Sequence, residues 1–533
     1  MSSVLKTQEV SFSGGLDTRS TLQDLQNRPG VATQLVNFEQ SLGGGYRRIN
    51  GFESIAENTP PSSTSNPIQG IYLYRTGMVV CKDDKIYHTF DNITWTIVNR
   101  ISSSFLDRST FTALPEATRS SCTTYTFDTF TQGALGGRTD LLIHDGNNTS
   151  AVLTITGTSN ANATFRYVEI GAVVAGGVGI LHKDQHIVAL NREEPSSFFV
   201  SKIADMEDFS GTSSGKYSVA DPIIGLKSFR EILYIFCKES IWKATELSSG
   251  TPNIQPVFRN IGCVSNSTIQ EVGGDIVFLA TDGLRSLGAT TKIGDVNISS
   301  MSVPISGLVQ KILRNRSEYT FTSIVIRESN QYRLFYTEVN SVTPGKGIIA
   351  SYYPNKNKQS LWAFSEINDI RMVVADSRIS LGKDSIVHGT DTGLLFKHNS
   401  GDTFAGTEIN WNVHTPYFDL GDVGLRKNAR DLTFYLKPEG LVNMEASIIF
   451  DYDDYDVHQP LPYDVLTSNP PSLFGSAIFG VSLFGSKSIS IDKIQIQGSF
   501  KTMSLRFNNK RNEPSAPFTL QGFDIAYTEG SRI

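Results

Sequence analysis

A chain of 533 residues is too long for one ordinary hydrophobic core. The usual domain size of roughly 150 residues divides it into about three units, or two if the units are large and all-β. Hydrophobic residues make up 39% and charged residues 19%, which excludes an intrinsically disordered chain. The formal charge is −6, from 47 basic and 53 acidic residues, so the molecule lacks the positive excess with which proteins grip nucleic-acid phosphates.

Four cysteines, Cys81, Cys122, Cys237 and Cys263, are scattered without a C-x-x-C pair, and buried free thiols are expected. The opening MSSVLKTQEVSFSGG has no apolar signal-peptide core. The longest weakly apolar run, 170 to 181, contains four glycines and falls short of the roughly 20 residues that span a bilayer. A protein made in a cytoplasm, without membrane insertion, is the expectation.

The stretch from Ser13 to Phe52 is broken by Gly14-Gly15, Pro29-Gly30 and Gly43-Gly44-Gly45 into short pieces, with Val31, Leu35, Val36 and Phe38 forming one small apolar patch before Arg47-Arg48. Residues 1–65 read as an extended arm that buries little by itself. From 66 the chain becomes a succession of short strands bounded by Gly, Asp, Asn and Ser. IQGIYLYR and GMVVCKDDKIYHTF, with a turn at Asp83-Asp84, set the scheme, and WTIV completes it. It recurs from Gly177, Ile223, Gly273 and Tyr332, and again from Asp384, at spacings of about 45 to 60 residues, which suits the blades of a β-propeller. Residues 66–403 would hold about six blades, or seven; two consecutive β-sandwiches are the other architecture such strands allow. One helix is predicted at 304–315, where Ile305, Leu308, Val309, Ile312 and Leu313 fall at helical spacing behind Pro304.

After 403 the strands lengthen, and residues 404–533 read as a C-terminal β-sandwich-like domain. Within it Phe474, Phe479 and Phe484, each followed by glycine, stand five residues apart; such rings form either an exposed intersubunit contact patch or a loop folded against its own domain. DYDDYD gathers Asp451, Asp453, Asp454 and Asp456, without EF-hand spacing, as a solvated loop or an acidic channel rim that discourages DNA from sticking.

Motifs for chemistry are weak. TFDNITW, from Thr89, approaches the Asp-box turn of sialidase-type propellers but lacks its glycine and one residue of spacing. His182 and His186 lie four apart, but on a hairpin and without a third ligand. GALGGRTD has no following Lys-Ser/Thr. No catalytic residue, cofactor or metal ligand set is expected, and the chain reads as a non-enzyme.

The pattern GGL-D-T-R, L-x-N-F-E, G-G-G-Y-R-R-x-x-G-F, carried by Gly14, Gly15, Leu16, Asp17, Asn37, Phe38, Gly44, Gly45, Arg47, Arg48, Gly51 and Phe52, resembles the N-terminal module of tail hub, or nozzle, proteins of short-tailed bacteriophages. The phrase around Thr415, Pro416, Phe418, Gly421, Arg426 and Lys427 is similar to their distal part. The resemblance implies a structural virion protein, assembled in the host cytoplasm. It would form a homo-hexameric channel below the portal and adaptor rings, pass genome DNA without specific binding, and carry fibre or tail-tip proteins. Leu16, Asp17, Arg19, Phe38, Arg47 and Arg48, with the three phenylalanines above, are then the candidate assembly contacts. The alternative is a receptor- or glycan-binding tail protein using Tyr72, Tyr74, Trp95 and Trp242 on a propeller face, or a polysaccharide depolymerase with a carboxylate pair.

Overall fold

In the computed structural model the described residues are 4–55, 65–74, 77–100, 126–132, 138–146, 150–155, 163–167, 176–247, 252–288, 300–339, 341–354, 360–380, 382–422, 424–466, 490–510 and 515–532. Short alternating strands and tight turns gather them into six small self-contained sheets and two large ones. In chain order the small sheets run from Ile68–Tyr74 to Thr96–Ile97, from Thr126–Gln132 to Ala163–Tyr167, from Val178–His182 to Gly215–Ser218, and from Ile223–Phe229 to Asn253–Arg259. The last two run from Gln270–Val272 to Gly283–Ser286 and from Val374–Ser380 to Leu395–His398. The strands Tyr319–Ile326, Gln331–Glu338, Lys346–Pro354 and Ser360–Asn368 take one further place in the ring, as the first part of a nine-stranded sheet. This is the expected β-propeller: six blades of its own and one position shared with the next domain.

Each blade is apolar on both faces because it is sandwiched by its neighbours. Val79 and Cys81 pack with Leu141 and Leu153; Ile187 and Phe198 pack with Leu233 and Ile235. Phe236 and Ile241 meet Ile276 and Phe278, and Val80 and Tyr87 meet Val374 and Val387, closing the circle. Cys81, Cys237 and Cys263 are buried free thiols, as expected, and Cys122 lies outside the described residues.

The C-terminal domain is a two-sheet sandwich. One layer is the rest of the nine-stranded sheet, with Asn412–His414, Met503–Asn509, Asn443–Phe450 and Tyr463–Leu466; the other is built on the long pair Leu425–Pro438 and Phe518–Arg532. Phe434 meets Phe507 edge-on at 5.2 Å between centroids, and Phe418 and Phe523 lie 5.9 Å apart across the same core.

Residues 4–55 are extended apart from one short helix, but they are woven into both domains. Leu5–Ser11 pairs with Phe518–Arg532, and Gln34–Val36 is inserted between Ser360–Asn368 of the propeller and Asn412–His414 of the sandwich. Phe38–Gln40 and Tyr46–Arg48 form a hairpin on the second sandwich sheet, and Phe52–Ser54 is the fourth strand of the last blade. Gly51 is needed where the strap passes the chain at Thr403, since a Cβ there would sit 1.9 Å from a carbonyl oxygen. Gly45, at φ +86°, approaches the Leu520 carbonyl almost as closely.

The helix Ser306–Arg314 is preceded by a 3-10 turn holding Pro304, and it buries Val309, Ile312 and Leu313 against the strand Gly283–Ser286. Gly307, within it, has open space where a methyl group would stand. Gly51→Ala should therefore cost at least ~2 kcal/mol through overpacking, whereas Gly307→Ala should gain ~0.5–1 kcal/mol through reduced chain entropy. Denaturant titration of the two variants checks the pair of signs.

Candidate functional site

The structure places most of the expected assembly residues inside the molecule. Leu16 is 1% exposed and its N–H donates to the Phe364 carbonyl of the propeller at 2.7 Å. Asp17 is buried and accepts from the Arg19 and Ser20 N–H groups and from Arg28 at 3.0 Å, setting the turn before a short helix, Leu22–Gln26. Its carboxyl is held below the usual value, because the Ser20, Arg19 and Arg28 contacts outweigh burial. Phe38 is fully buried, edge-on to Trp411 at 5.4 Å. These three side chains cannot touch a neighbouring subunit without opening the core, and of the first set Arg19 is the exposed one.

The Arg-Arg pair turns inward too. Arg47 is held by Glu439 of the sandwich through Nε at 2.6 Å and Nη2 at 2.7 Å, and by Glu39 at 3.1 Å. Burial alone would lower its pKa; Glu439 and Glu39 override it and raise the value. The other Glu39 oxygen accepts from Arg333 of the propeller at 2.7 Å, and Arg333 also meets Gln331 and, at 3.2 Å, His398 of the last blade. This chain of charges joins propeller, strap and sandwich. Arg48 is 1% exposed; it donates from Nη1 to the Asp402 carbonyl at 3.2 Å, while Nε and Nη2 have no partner among the described residues, and burial draws its pKa down to about 10.

On the acidic stretch, Asp451 is spent within the fold: Oδ1 accepts from the Lys501 and Thr502 N–H groups, both at 2.8 Å. Asp451, Tyr452 and Asp453 all have positive φ, so the turn is tightly coiled and projects the exposed Asp453, Asp454, Tyr455 and Asp456. Tyr455 is 93% exposed, and Leu461, six residues on, 83%. Phe474, Phe479 and Phe484 lie outside the described residues.

The innermost strands of the blades surround an axial cavity of about 790 Å³. Its charged lining among the described residues is Asp145, Asp376, Arg192 and Lys227, two of each sign, so it carries no strong field. Tyr72 stacks on Phe127 there at 5.7 Å. Asp376 clamps two blades, accepting from the Leu73 N–H at 2.7 Å and the Ser377 N–H at 2.8 Å, and burial raises its pKa. Of the other aromatics considered for a binding face, Tyr74 is buried, and Trp242 is half-buried with its N–H donating to Ser240. Trp95 packs beside the cluster between the first and last blades.

The enzyme-like motifs resolve into structure. Asp91 accepts from the Ile93 and Thr94 N–H groups at 2.9 and 2.7 Å, a local turn that lowers its pKa. His182 bonds Ser228 at 2.8 Å, while His186 faces His144 across 3.4 Å. The Met206 carbonyl can only accept, so His186 Nδ1 carries a proton toward it, His144 donates to His186 Nε2, and Ser150 donates to His144 Nδ1. Among the described residues no group of three or more His, Cys, Asp or Glu could hold a metal ion, and no helix is long and apolar enough to cross a membrane. The sequence reading missed Arg333 and His398. A lone arginine inside the apolar strand YRLFY was the available signal, since such a charge must find a buried partner.

No protein-family model matches the chain, and no curated protein matches it. Among solved structures it is similar to the exo-β-1,3-galactanase of Phanerochaete chrysosporium, at 9% identity over 90% of this chain and 100% of that one, with a TM-score of 0.27. An ancestral GH74 enzyme aligns at 10% identity over 71% of this chain and 52% of its own, with a TM-score of 0.38. Hsv2p of Kluyveromyces lactis aligns at 8% identity over 56% and 97%, with a TM-score of 0.28. Likeness at this level carries no argument about activity.

Burial holds seven histidines neutral. His88, His182, His186 and His414 are drawn down to about 4, His388 to about 3, and His144 and His398 well below the ordinary value. Unfolded histidines titrate near 6.5, so below that pH the unfolded chain binds more protons than the folded one. The stability these groups contribute is present above about 6.5 and is lost as the pH falls through the folded values near 4. The thermal midpoint should drop between neutral pH and about 4.5, and His88→Phe with His388→Phe should flatten that slope. An unchanged midpoint across the range would contradict the buried neutral rings.

Breaking the charge relay is the sharper structural test. Glu39→Gln strands Arg333 without a counter-charge and should cost ~3–5 kcal/mol, while exposed Arg19→Gln should change stability by less than ~0.5 kcal/mol.

Proposed function

We propose that this chain is a structural subunit of a bacteriophage tail, a hub or nozzle whose copies form a ring around the path of the genome, and that it is not an enzyme. The observation that carries the reading is the use the fold makes of the motif residues. Leu16, Phe38, Arg47, Arg48, Gly45 and Gly51 are points at which the strap meets the propeller or the sandwich, and Asp17 sets a turn within the strap. The resemblance to tail hubs therefore rests on residues that define the two-domain body itself. A body tied by one strap through both domains is rigid, which suits a part that bears load and holds a ring in register.

Assembly then belongs to the outer surface. The coiled turn with Asp453, Asp454, Tyr455 and Asp456 is exposed and internally braced, so docking it costs little ordering entropy. Its charge suits either a basic patch on a neighbour or a rim beside DNA that must slide past. The axial cavity offers less to a depolymerase, because both oxygens of Asp376 are committed to backbone N–H groups.

Sedimentation velocity at rising concentration tests this reading. The native chain should form a closed oligomer of about six copies, and D453K/D454K/D456K should shift it toward monomer without lowering the thermal midpoint. An oligomer indifferent to that charge reversal would remove the turn as the contact. Cleavage of a capsular polysaccharide by the purified chain would overturn the non-enzymatic reading.

A further inference from the structure

The outer face of the nine-stranded sheet carries a row of polar side chains that the fold does not use. Register sets Val36 opposite Asn412, Asn412 opposite Asn508, and Asn508 opposite Glu445. Asn412, Asn508 and Glu445 stand abreast beside Val36, while the alternate positions Leu35, Val413, Phe507 and Ala446 fill the core behind them. With strands about 4.8 Å apart, the three polar groups span roughly 10 Å. It lines a recess of about 710 Å³ whose other polar walls include Asn368, Asp369 and Lys510.

The row is half-sheltered and unpaired. Asn412 Oδ1 is shut from water with no hydrogen-bond partner, and among the described residues neither Asn508 nor Glu445 has a side-chain bond. Their neighbour Asn509 shows what a structural amide does here: its oxygen accepts from the Trp411 N–H at 3.2 Å and its nitrogen donates to Glu408 at 3.2 Å. A buried acceptor left unpaired costs about 1–3 kcal/mol, and a ligand hydroxyl relieves it only by turning the Asn412 amide toward the recess, so Asn508 and Glu445 are the groups a ligand meets first.

We propose that this recess is a saccharide-binding site. Amides offer donors and acceptors together, which matches hydroxyl groups that do the same, and Glu445 can accept from two adjacent hydroxyls at once. A pyranose ring is about as wide as one strand spacing, so the row presents successive polar groups to successive sugar units. Asp369 and Glu445 outweigh Lys510, whose ammonium is 3.1 Å from Asp464, so phosphate and sulfate ligands are disfavoured. The site lies where the strap and the end of Ser360–Asn368 meet the sandwich, and it does not rest on the assembly reading above: a hub subunit or a receptor-binding protein could equally carry it.

Saturation-transfer NMR with the full chain tests the site, using maltotriose, cellotriose, chitotriose and lactose at millimolar concentrations, with inorganic phosphate as a control. At least one sugar should show saturable transfer. N508A/E445Q, on the solvent face, should weaken its affinity about tenfold, the loss of one or two hydrogen bonds, with the thermal midpoint unchanged; N412A alone should weaken it less. Transfer to none of the four sugars, transfer that survives N508A/E445Q, or preferential binding of phosphate would each overturn the proposal.

Discussion

The contact on which the rest depends is the relay Arg333, Glu39, Arg47, Glu439. Arg333 is fully buried, so its desolvation is repaid only if Glu39 stays within hydrogen-bond reach. Glu39 sits on the strap, and its second oxygen engages Arg47, which in turn grips Glu439 on the sandwich. A buried ion pair is weak support for stability by itself, but it is strict about position. This one fixes where the propeller, the strap and the sandwich stand relative to one another.

Around that relay the strap solves a problem that propellers share. A ring of blades must be closed by something other than chain continuity, and here Phe52–Ser54 supplies the last strand of the last blade, next to Phe396 and His398. Phe52 stacks on Phe404 at 5.0 Å and meets His388 edge-on at 5.2 Å, so closure is sealed by rings that must remain uncharged. The same few residues therefore couple blade closure, domain docking and acid sensitivity.

Much of this was legible in the sequence. The strand-turn-strand phrases from Ile68, Gly177, Ile223 and Asp384 fall in blades, and Pro304 with its helical spacing marks the helix at Ser306–Arg314. The longer strands after 403 form the sandwich. What could not be read was pairing between distant segments. A three-residue strand such as Gln34–Val36 has no periodicity of its own, and its partners lie more than 300 residues away. For the same reason Arg47 and Arg48 were expected at an assembly contact and not inside the chain: their acceptors, Glu439 and the Asp402 carbonyl, are remote in sequence. The Asn412, Asn508 and Glu445 row exists only once the register is known.

In the proposed ring, a strap-locked body would leave recognition to its surface. Cryo-electron microscopy of the purified full-length chain tests that directly. Closed rings of about six copies around an open axis, with the turn at 451–456 at a subunit boundary or lining the lumen, are the predicted result. Particles that remain single chains at every concentration, with that turn facing solvent, would contradict it.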